Sequence, residues 1–480
     1  MQIPTEVKEI IKQLEQAGFE AYIVGGCVRD LIMGEEPGDW DLTTNAKPEQ
    51  IQKLFADSFY ENNFGTVGVK SDIGVIEVTT YRAESGYSDK RRPDEVKFVM
   101  TLDEDLKRRD FTMNSIALTI HDTRYTIHDP FGGQRDIERR LIRAVGDAEE
   151  RFAEDALRMM RAVRFSATLG FKIEDKTHEE IKAHSHNIKH VSQERVRDEL
   201  MKLVNGDHAA QGIKLMRETN LLDYVLPELL EGVGIEQNLH HIYTVWEHNI
   251  RALQYTVEQN YPIEVRLAAL LHDVGKPRSK RGEGRNCTFY GHEVIGARIA
   301  KEALSRLKFP KEIIEKISKL VRYHMFYYLP DEVTESSVRR LVAKIGADNV
   351  EDLLKLREAD RIGSGTPKAI PYKLRHLKFM IDKVARDPIS PKLLKINGND
   401  IMKLLSIEPG PKVGMIMNAL MEEVLDDPTR NDEDYLKAKS QKLNALSDEQ
   451  LANLAKQGKL KTAELEEEEV GKIKAKHFVK

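Results

Sequence analysis

An apolar run, Ala21-Tyr22-Ile23-Val24, stops at Gly25-Gly26 and gives way to Cys27-Val28-Arg29-Asp30-Leu31-Ile32-Met33, with Asp39-Trp40-Asp41 close behind. The run reads as a strand ending at the glycines, and Val28 to Met33 as the opening of a helix, so the backbone must turn sharply between them. Without a Cβ, such a turn lets backbone N–H groups close around a triphosphate. Carboxylates at i and i+2 of a strand point to one face, where both can hold hard divalent cations. Two metals about 4 Å apart activate a hydroxyl nucleophile and neutralise a departing pyrophosphate. Each signal is weak by itself; together, in this order, they supply what a nucleotidyl transfer site requires. Cys27 sits inside the turn, where a small packed side chain is favoured over a reactive thiol.

Strand signals are confined to the first part of the chain. Thr5 to Ala17 has helical apolar spacing at Val7, Ile10, Ile11 and Leu14, with Gly18 as its stop. Strand-like runs follow at Gly65 to Val69, Gly74 to Tyr81, Ile116 to Ile120 and Tyr125 to His128. Beyond Ile142 they almost vanish, and helical periodicity takes over, punctuated by Gly170, Gly206, Pro227, Pro310 and Pro330. At 480 residues the chain is too long for one core. The fold class is α+β: a head of mixed sheet and helices over 1–142, then helical segments over 143–220, 221–370 and 371–480. The end of the chain, with the acidic run Glu464 to Glu469 before Lys472, Lys474 and Lys476, reads as a solvated helix or a frayed tail.

Cys27 and Cys287 are the two cysteines, which excludes a disulfide framework and fits a reducing, cytoplasmic setting. No apolar stretch approaches the roughly 20 residues of a membrane span, and Met1-Gln2-Ile3-Pro4-Thr5 lacks a signal-peptide pattern. The net charge is −5, so a nucleic-acid partner would have to find a local basic surface.

Further along the head, Arg108-Arg109-Asp110-Phe111-Thr112-Met113-Asn114 offers forked donors for phosphate oxygens and an Asp and Asn for a ribose hydroxyl. Alone it reads equally as a surface charge cluster with a helix cap. The polar, glycine-containing stretch Tyr81 to Pro93 looks like a mobile loop beside the site. In Glu154-Asp155-Ala156-Leu157-Arg158, helical spacing places Asp155 and Arg158 on one face. There they form an ordinary salt bridge, or present an acceptor and a forked donor to a base edge. Arg158, Arg161 and Arg164 share a face that suits phosphate contact or pairing with carboxylates.

Taken in order, Gly25-Gly26…Arg29-Asp30, Asp39-x-Asp41, Arg108-Arg109-Asp110-Phe111-Thr112-x-Asn114, Asp129-Pro130-Phe131-Gly132-Gly133, Glu154-Asp155-x-x-Arg158 and Glu194-Arg195-x-x-x-Glu199 resemble the successive motifs of class II tRNA nucleotidyltransferases. The resemblance to these CCA-adding enzymes runs over about residues 20 to 205 without a gap in motif order. It implies a DNA polymerase β-like head followed by helical neck, body and tail holding tRNA, with CTP and ATP as substrates. It implies Asp39 and Asp41 as catalytic ligands of Mg2+, and Gly25, Gly26, Arg29, Arg109, Asp110 and Asn114 around the ribose and triphosphate. It implies Asp155 and Arg158 as a protein template for the base, Glu154 supporting them, and Arg161 and Arg164 beside the nucleotide. Glu77 lies near where related polymerases carry a third carboxylate, and is equally readable as a strand-edge charge.

A second constellation lies between residues 240 and 360. His272 and Asp273 end the apolar run Leu267 to Leu271, with His248 upstream and His292, His324 and Asp360 downstream. One imidazole on an apolar helix is ordinarily a core histidine; several imidazoles and two carboxylates on separate helices suit a divalent metal, whose identity the sequence does not choose. His248, His272-Asp273 and Asp360 resemble the four-point ligand pattern of the HD phosphohydrolases, and His292 and His324 match additional positions of HD subfamilies. That implies metal-dependent phosphoester hydrolysis fused to 3′-end addition on tRNA. Rival readings are an A-adding or CC-adding enzyme, a poly(A) polymerase, and an HD nucleotide hydrolase with a nucleotide-binding head. The intact Tyr81 to Pro93 stretch disfavours CC addition, and the Asp39/Asp41 pair disfavours a head that only binds.

Overall fold

The computed structural model describes residues 2–62, 65–85, 95–121, 124–238, 242–326, 328–329, 333–384, 393–447 and 449–451. The chain divides into two compact units, Met1–Glu315 and Lys316–Lys480. The expected boundaries at 142 and 220 fall inside the first unit and that at 370 inside the second.

A seven-stranded mixed sheet opens the first unit. Its strands are β1 (Ala21–Val24), β2 (Asp41–Thr44), β3 (Ser58–Asn62), β4 (Thr66–Ser71), β5 (Gly74–Thr80), β8 (Ala117–His121) and β9 (Arg124–His128). Their order is β3-β4-β5-β2-β1-β8-β9, with β2 and β5 parallel and the other neighbours antiparallel. A separate hairpin, β6 (Arg82–Ser85) with β7 (Glu95–Phe98), follows β5 in the chain. Ile23, Val24, Leu42, Val67, Val78 and Leu118 are buried along the sheet, whose inner strands β1 and β2 are covered on both faces while β5 alternates. Helix α1 (Thr5–Gln16) buries Val7, Ile10, Ile11 and Leu14 as its spacing requires, and Gly18 beyond its end has φ +85°. Helix α2 (Gly26–Met33) starts at the glycine pair and ends at left-handed Gly34. Two further helices of the head are α3 (Pro48–Leu54), between β2 and β3, and α4 (Leu102–Lys107), after β7.

Two differences from the sequence expectations concern the head's far edge. The two-residue strands β10 (Leu141–Ile142) and β11 (Lys172–Ile173) pair in parallel, joining segments on both sides of residue 142. Strands this short carry no periodicity, so spacing could not find them. Between β9 and β11 run α5 (Gly133–Glu138), α6 (Ala148–Glu154) and α7 (Leu157–Leu169). The break at Asp155 corrects the expectation of one helix carrying both Asp155 and Arg158. The Asp155 carboxylate accepts from the Leu157 N–H at 3.0 Å, a local bond that competes with helix continuation.

Thereafter the first unit is helical, through α8 (Asp175–His184), α9 (Gln193–Asn205), α10 (Ala209–Glu218), α11 (Leu222–Val225), α12 (Val245–Glu258), α13 (Ile263–Leu271), α14 (Lys276–Ser279) and α15 (His292–Arg306). Helix α16 (Lys311–Tyr323) runs through the division. The second unit continues with α17 (Glu335–Ile345), α18 (Ala347–Gly363), α19 (Tyr372–Val384), α20 (Gly398–Leu405), α21 (Pro411–Asp426) and α22 (Glu433–Asn444). The last three bury Ile401, Ile416, Leu420, Val424, Leu436 and Leu443 in a common core. Among the described residues no helix is long and apolar enough to cross a membrane. The expected C-terminal tail beyond 451 lies outside the described residues.

Gly133 tests how tightly the head is packed. Asp129 accepts from the N–H groups of Gly133 and Gln134 at 2.7 and 2.9 Å, seating α5 on the 3₁₀ turn Thr112–Asn114. A Cβ on Gly133 would lie 2.1 Å from the Thr112 carbonyl oxygen and 2.8 Å from Ile116 Cγ1. Gly133→Ala is therefore expected to cost about 1–3 kcal/mol of stability, read as a lower urea midpoint. An unchanged midpoint would show that this contact is not a constraint.

Candidate functional site

Gly25, between β1 and α2, has φ +82°, a conformation that suits glycine. A Cβ placed there would meet Arg109 Nη1 at 3.2 Å and Asp41 Oδ2 at 3.4 Å, so the bare turn, a guanidinium and a carboxylate share one small volume. Asp41 starts β2 and is half-buried, while Asp39 precedes the strand in a bend and is exposed; buried Trp40 between them keeps the alternation the sequence implied. Asp41 is the register partner of Glu77 on parallel β5, which puts these two carboxylates side by side on one face. Burial pushes the Cys27 thiol up to about 12, consistent with packing rather than reactivity.

Behind the turn lies a lattice of buried ion pairs. Arg29 donates to Asn114 Oδ1 at 2.9 Å and to Asp30 at 2.8 Å. Asn114 Nδ2 reaches Asp110 Oδ1 at 3.4 Å, and Arg161 Nε donates to Asp110 Oδ2 at 2.7 Å. Arg164 Nε donates to Glu199 at 3.0 Å and stacks on Phe165, 3.6 Å from the ring centre, with Arg29 and Arg161 also over that ring. Arg158, Arg161 and Arg164 are thus all paired with carboxylates in this structure. Burial alone would raise the Asp110 carboxyl, but Arg161 beside it, Arg158 and the Phe111 N–H outweigh this and bring it down to about 2.

The side chains of the i, i+3 pair Asp155/Arg158 do not pair with each other, contrary to the salt-bridge expectation; the Arg158 N–H donates to the Asp155 carbonyl at 3.0 Å. Arg158 donates to Glu154 at 2.5 Å and to the Arg108 carbonyl at 2.9 Å, while Asp155 receives Arg195 Nη2 at 2.7 Å. Glu154 also takes Arg151 at 2.5 Å, so one carboxylate pairs with both arginines. In the Tyr81 to Pro93 stretch, residues 86–93 lie outside the described residues. Sequence reasoning passed over Asp105, whose side chain is fully buried against Arg108 and Arg109. The spacing of an Asp three and four residues before two arginines was the available signal.

The second site is built at the ends of helices. His248 lies on α12; His272 and Asp273 follow the last turn of α13; His292 opens α15. All four are buried. The ring nitrogens His248 Nε2 and His272 Nε2 are 2.8 Å apart, and Asp273 Oδ2 lies 3.0 Å from the first and 3.4 Å from the second. His292 Nε2 is 3.3 Å from Asp273 Oδ1. Nδ1 of His272 is 2.8 Å from the Ala269 carbonyl and Nδ1 of His292 is 2.7 Å from the Phe289 carbonyl. An imidazole whose Nδ1 donates to such a carbonyl would have its Nε2 lone pair available to a metal, the tautomer a ligand needs. His248, His272 and Asp273 offer ligand atoms within 4.8 Å of one another, a donor set that fits a divalent ion. Lys276 Nζ also reaches Asp273 at 2.5 Å; burial opposes the charge on Asp273, but Lys276 and His272 hold its carboxyl well below the ordinary range. Of the remaining expected ligands, His324 and Asp360 belong to the second unit. Both are buried; His324 Nδ1 is 2.7 Å from the Val321 carbonyl, and Asp360 pairs with Arg357.

Comparison with known proteins gives three successive family matches: the poly A polymerase head domain over 21–143, the probable RNA and SrmB-binding site of polymerase A over 170–232, and the HD domain over 245–362. The CCA-adding enzyme of Geobacillus stearothermophilus is 33% identical over 435 residues, covering 90% of this chain and 95% of that one. Against the CCA-adding enzyme of Lactobacillus helveticus (strain DPC 4571), identity is 49% over 217 residues, and that match spans about half of the relative, 54% of its length. Among solved structures, the Bacillus stearothermophilus CCA-adding enzyme in complex with CTP matches with a TM-score of 0.65 and 29% identity, over 92% of this chain and 98% of that one.

Asp110 offers a pH test of the ion-pair lattice. Its folded value of about 2 lies below the ordinary value near 3.9, so its stabilisation is complete above about pH 4 and is lost as pH falls toward 2. Asp110→Asn is expected to lower stability by about 2 kcal/mol at pH 7. Urea unfolding should show a constant gap from wild type between about pH 5 and 7, narrowing below about pH 4; a gap that widens in acid would contradict the assigned pairing.

Proposed function

Because this chain belongs to the CCA-adding enzyme family, we propose that its head adds C, C and A in turn to the 3′ end of tRNA from CTP and ATP, without a nucleic-acid template. The observation that carries this reading is the convergence of the Gly25 turn, Asp41 and Arg109 in one volume. Asp39 and Asp41 would hold Mg2+, with Glu77 beside them. Bound there, the metal supplies activation of the tRNA 3′-hydroxyl and charge neutralisation on the pyrophosphate. The hydroxyl oxygen forms the new bond to the α-phosphorus as the bond to pyrophosphate breaks. The backbone of Gly25 and Gly26 and the Arg109 guanidinium bind the triphosphate, and Arg29, Asp110 and Asn114 hold the ribose. Asp155 and Arg158 select the base, their geometry set beforehand by Arg195 and Glu154. Arg161 and Arg164 keep that surface in place through Asp110 and Glu199.

For the second site, the HD match and the buried donor set support a metal-dependent hydrolase that removes 2′,3′-cyclic or terminal phosphates from RNA ends. His248, His272 and Asp273 are the ligands we assign first, with His292 next to them and Asp360 and His324 added from the family resemblance. A divalent ion there supplies an activated water. The identity of the ion stays open among Mn, Ni, Fe and Zn, all of which accept imidazole and carboxylate. A reducing, cytoplasmic setting fits the two buried free thiols, Cys27 and Cys287.

In the head, Asp41→Ala is expected to reduce labelled CMP incorporation into tRNA lacking its 3′ end by at least about 100-fold, with the circular dichroism spectrum unchanged. Incorporation within about tenfold of wild type would remove Asp41 from the active site. For the helical site, Asp273→Ala is expected to abolish phosphate release from 2′,3′-cyclic phosphate ends and to strip divalent metal from the purified protein. CCA addition should stay near wild type. Wild-type protein that binds no transition metal and releases no phosphate with Mn, Ni or Co supplied would mark the site as structural.

A further inference from the structure

Asp105 lies on α4 and has no part in the chemistry assigned to the head, yet its carboxylate joins several residues that do. Its side chain is fully buried, which for a charge costs several kcal/mol unless it is paired and hydrogen-bonded. Oδ1 accepts from Arg108 Nε at 2.9 Å and Nη2 at 2.7 Å, and from the Arg82 N–H at 3.4 Å. Oδ2 accepts from Arg109 Nη2 at 3.3 Å and from the Thr43 hydroxyl at 3.2 Å.

Each of these donors leads elsewhere in the head. Thr43 is two residues after Asp41 on β2 and so lies on the same face of that strand. The Arg108 carbonyl accepts from Arg158 Nη2. Arg82 begins β6, the strand that leads into residues 86–94. Arg109 is the most telling of the four. One end of its guanidinium, Nη2, is fixed by Asp105, and Nη1 comes up against the Gly25 turn beside Asp41. Its Nε is buried and has no hydrogen-bond partner among the described residues. A long flexible side chain is thereby held by one terminus with the other aimed at the turn.

From this geometry we propose that Asp105 is a positioning residue of the nucleotidyl transfer site: it holds Arg109 in place to receive the triphosphate and keeps it in register with the metal-binding strand through Thr43. The proposal rests on the function assigned to the head under "Proposed function". It differs from a purely stabilising ion pair in one respect: its effect must pass through Arg109 to the phosphates, and so must scale with the number of phosphates the ligand carries.

The test measures binding of CTP and of CMP to the full-length protein in Mg2+, together with KM and kcat for CMP and AMP incorporation. Asp105→Asn, close in volume and without charge, is expected to weaken CTP roughly 10- to 100-fold while CMP changes by less than about twofold. KM for CTP and ATP should rise together, with the choice between them preserved. In an Arg109→Ala background, Asp105→Asn should cost little further CTP affinity, since both act through one contact. A CTP-to-CMP ratio unchanged by Asp105→Asn, or losses that add fully in the double variant, would overturn the proposal and leave Asp105 a stabilising ion pair. If Asp105→Asn does not fold, Thr43→Val takes its place: it is expected to lower the same ratio about three- to tenfold, and an unchanged ratio again overturns the proposal. Wild-type incorporation of CMP into tRNA lacking its 3′ end is the control. Its absence would defeat the function assigned to the head, and this proposal with it; when it is present, the binding ratios test Asp105 alone.

Discussion

Arginines held by buried and half-buried carboxylates are what the head depends on. Arg108 and Arg109 meet at Asp105, Arg161 at Asp110, Arg158 at Glu154, Arg195 at Asp155 and Arg164 at Glu199. Removing so many charges from water is costly, and each pair recovers that cost only in good geometry with hydrogen bonds on both sides. Such pairs contribute less to net stability than their number suggests; what they provide is position. A free arginine samples many rotamers, whereas a guanidinium with one edge fixed presents the other edge at a defined place. The site proposed to grip a triphosphate and tell bases apart would need donors already in place when the substrate arrives.

The helical site solves the same problem with imidazoles. His272 and His292 each have Nδ1 at hydrogen-bond distance from the carbonyl three residues before, and His324 in the second unit repeats the motif with Val321. At the C-terminal ends of α13 and α16 the last carbonyls lack intrahelical partners, so His272 and His324 can be satisfied by the backbone with Nε2 left for other contacts, while His292 uses the Phe289 carbonyl just before α15. Glycine completes the arrangement. A Cβ on Gly275 would lie 2.2 Å from the His292 carbonyl oxygen and 2.5 Å from the Gly296 N, so the turn after Asp273 can approach α15 only because residue 275 has no side chain. That approach is what brings His292 within reach of Asp273.

The two chemistries therefore share a design but not a donor type. Guanidinium and carboxylate pairs suit a site that binds a polyanion and two hard cations. Neutral imidazoles with one carboxylate suit a softer divalent ion and a metal-bound water.

Features carried by a few consecutive residues were determined by the sequence alone. The apolar spacing of α1, the strand running into Gly25 and the later strands β4, β5, β8 and β9 depend on periodicity and backbone freedom, which act over one or two turns. Partner choice was decided by the tertiary structure. Spacing placed Asp155 on one helix face with Arg158, yet Asp155 went to Arg195, 40 residues away, and Arg158 to its near neighbour Glu154. Spacing said nothing of Thr43 meeting Asp105 across 62 residues, or of β10 meeting β11 across the expected end of the head. The physical reason is that a charged side chain has many acceptable partners in sequence and few in space. Local rules fix which groups are available, while the packing of distant elements fixes which of them are close enough, and dry enough, to bind.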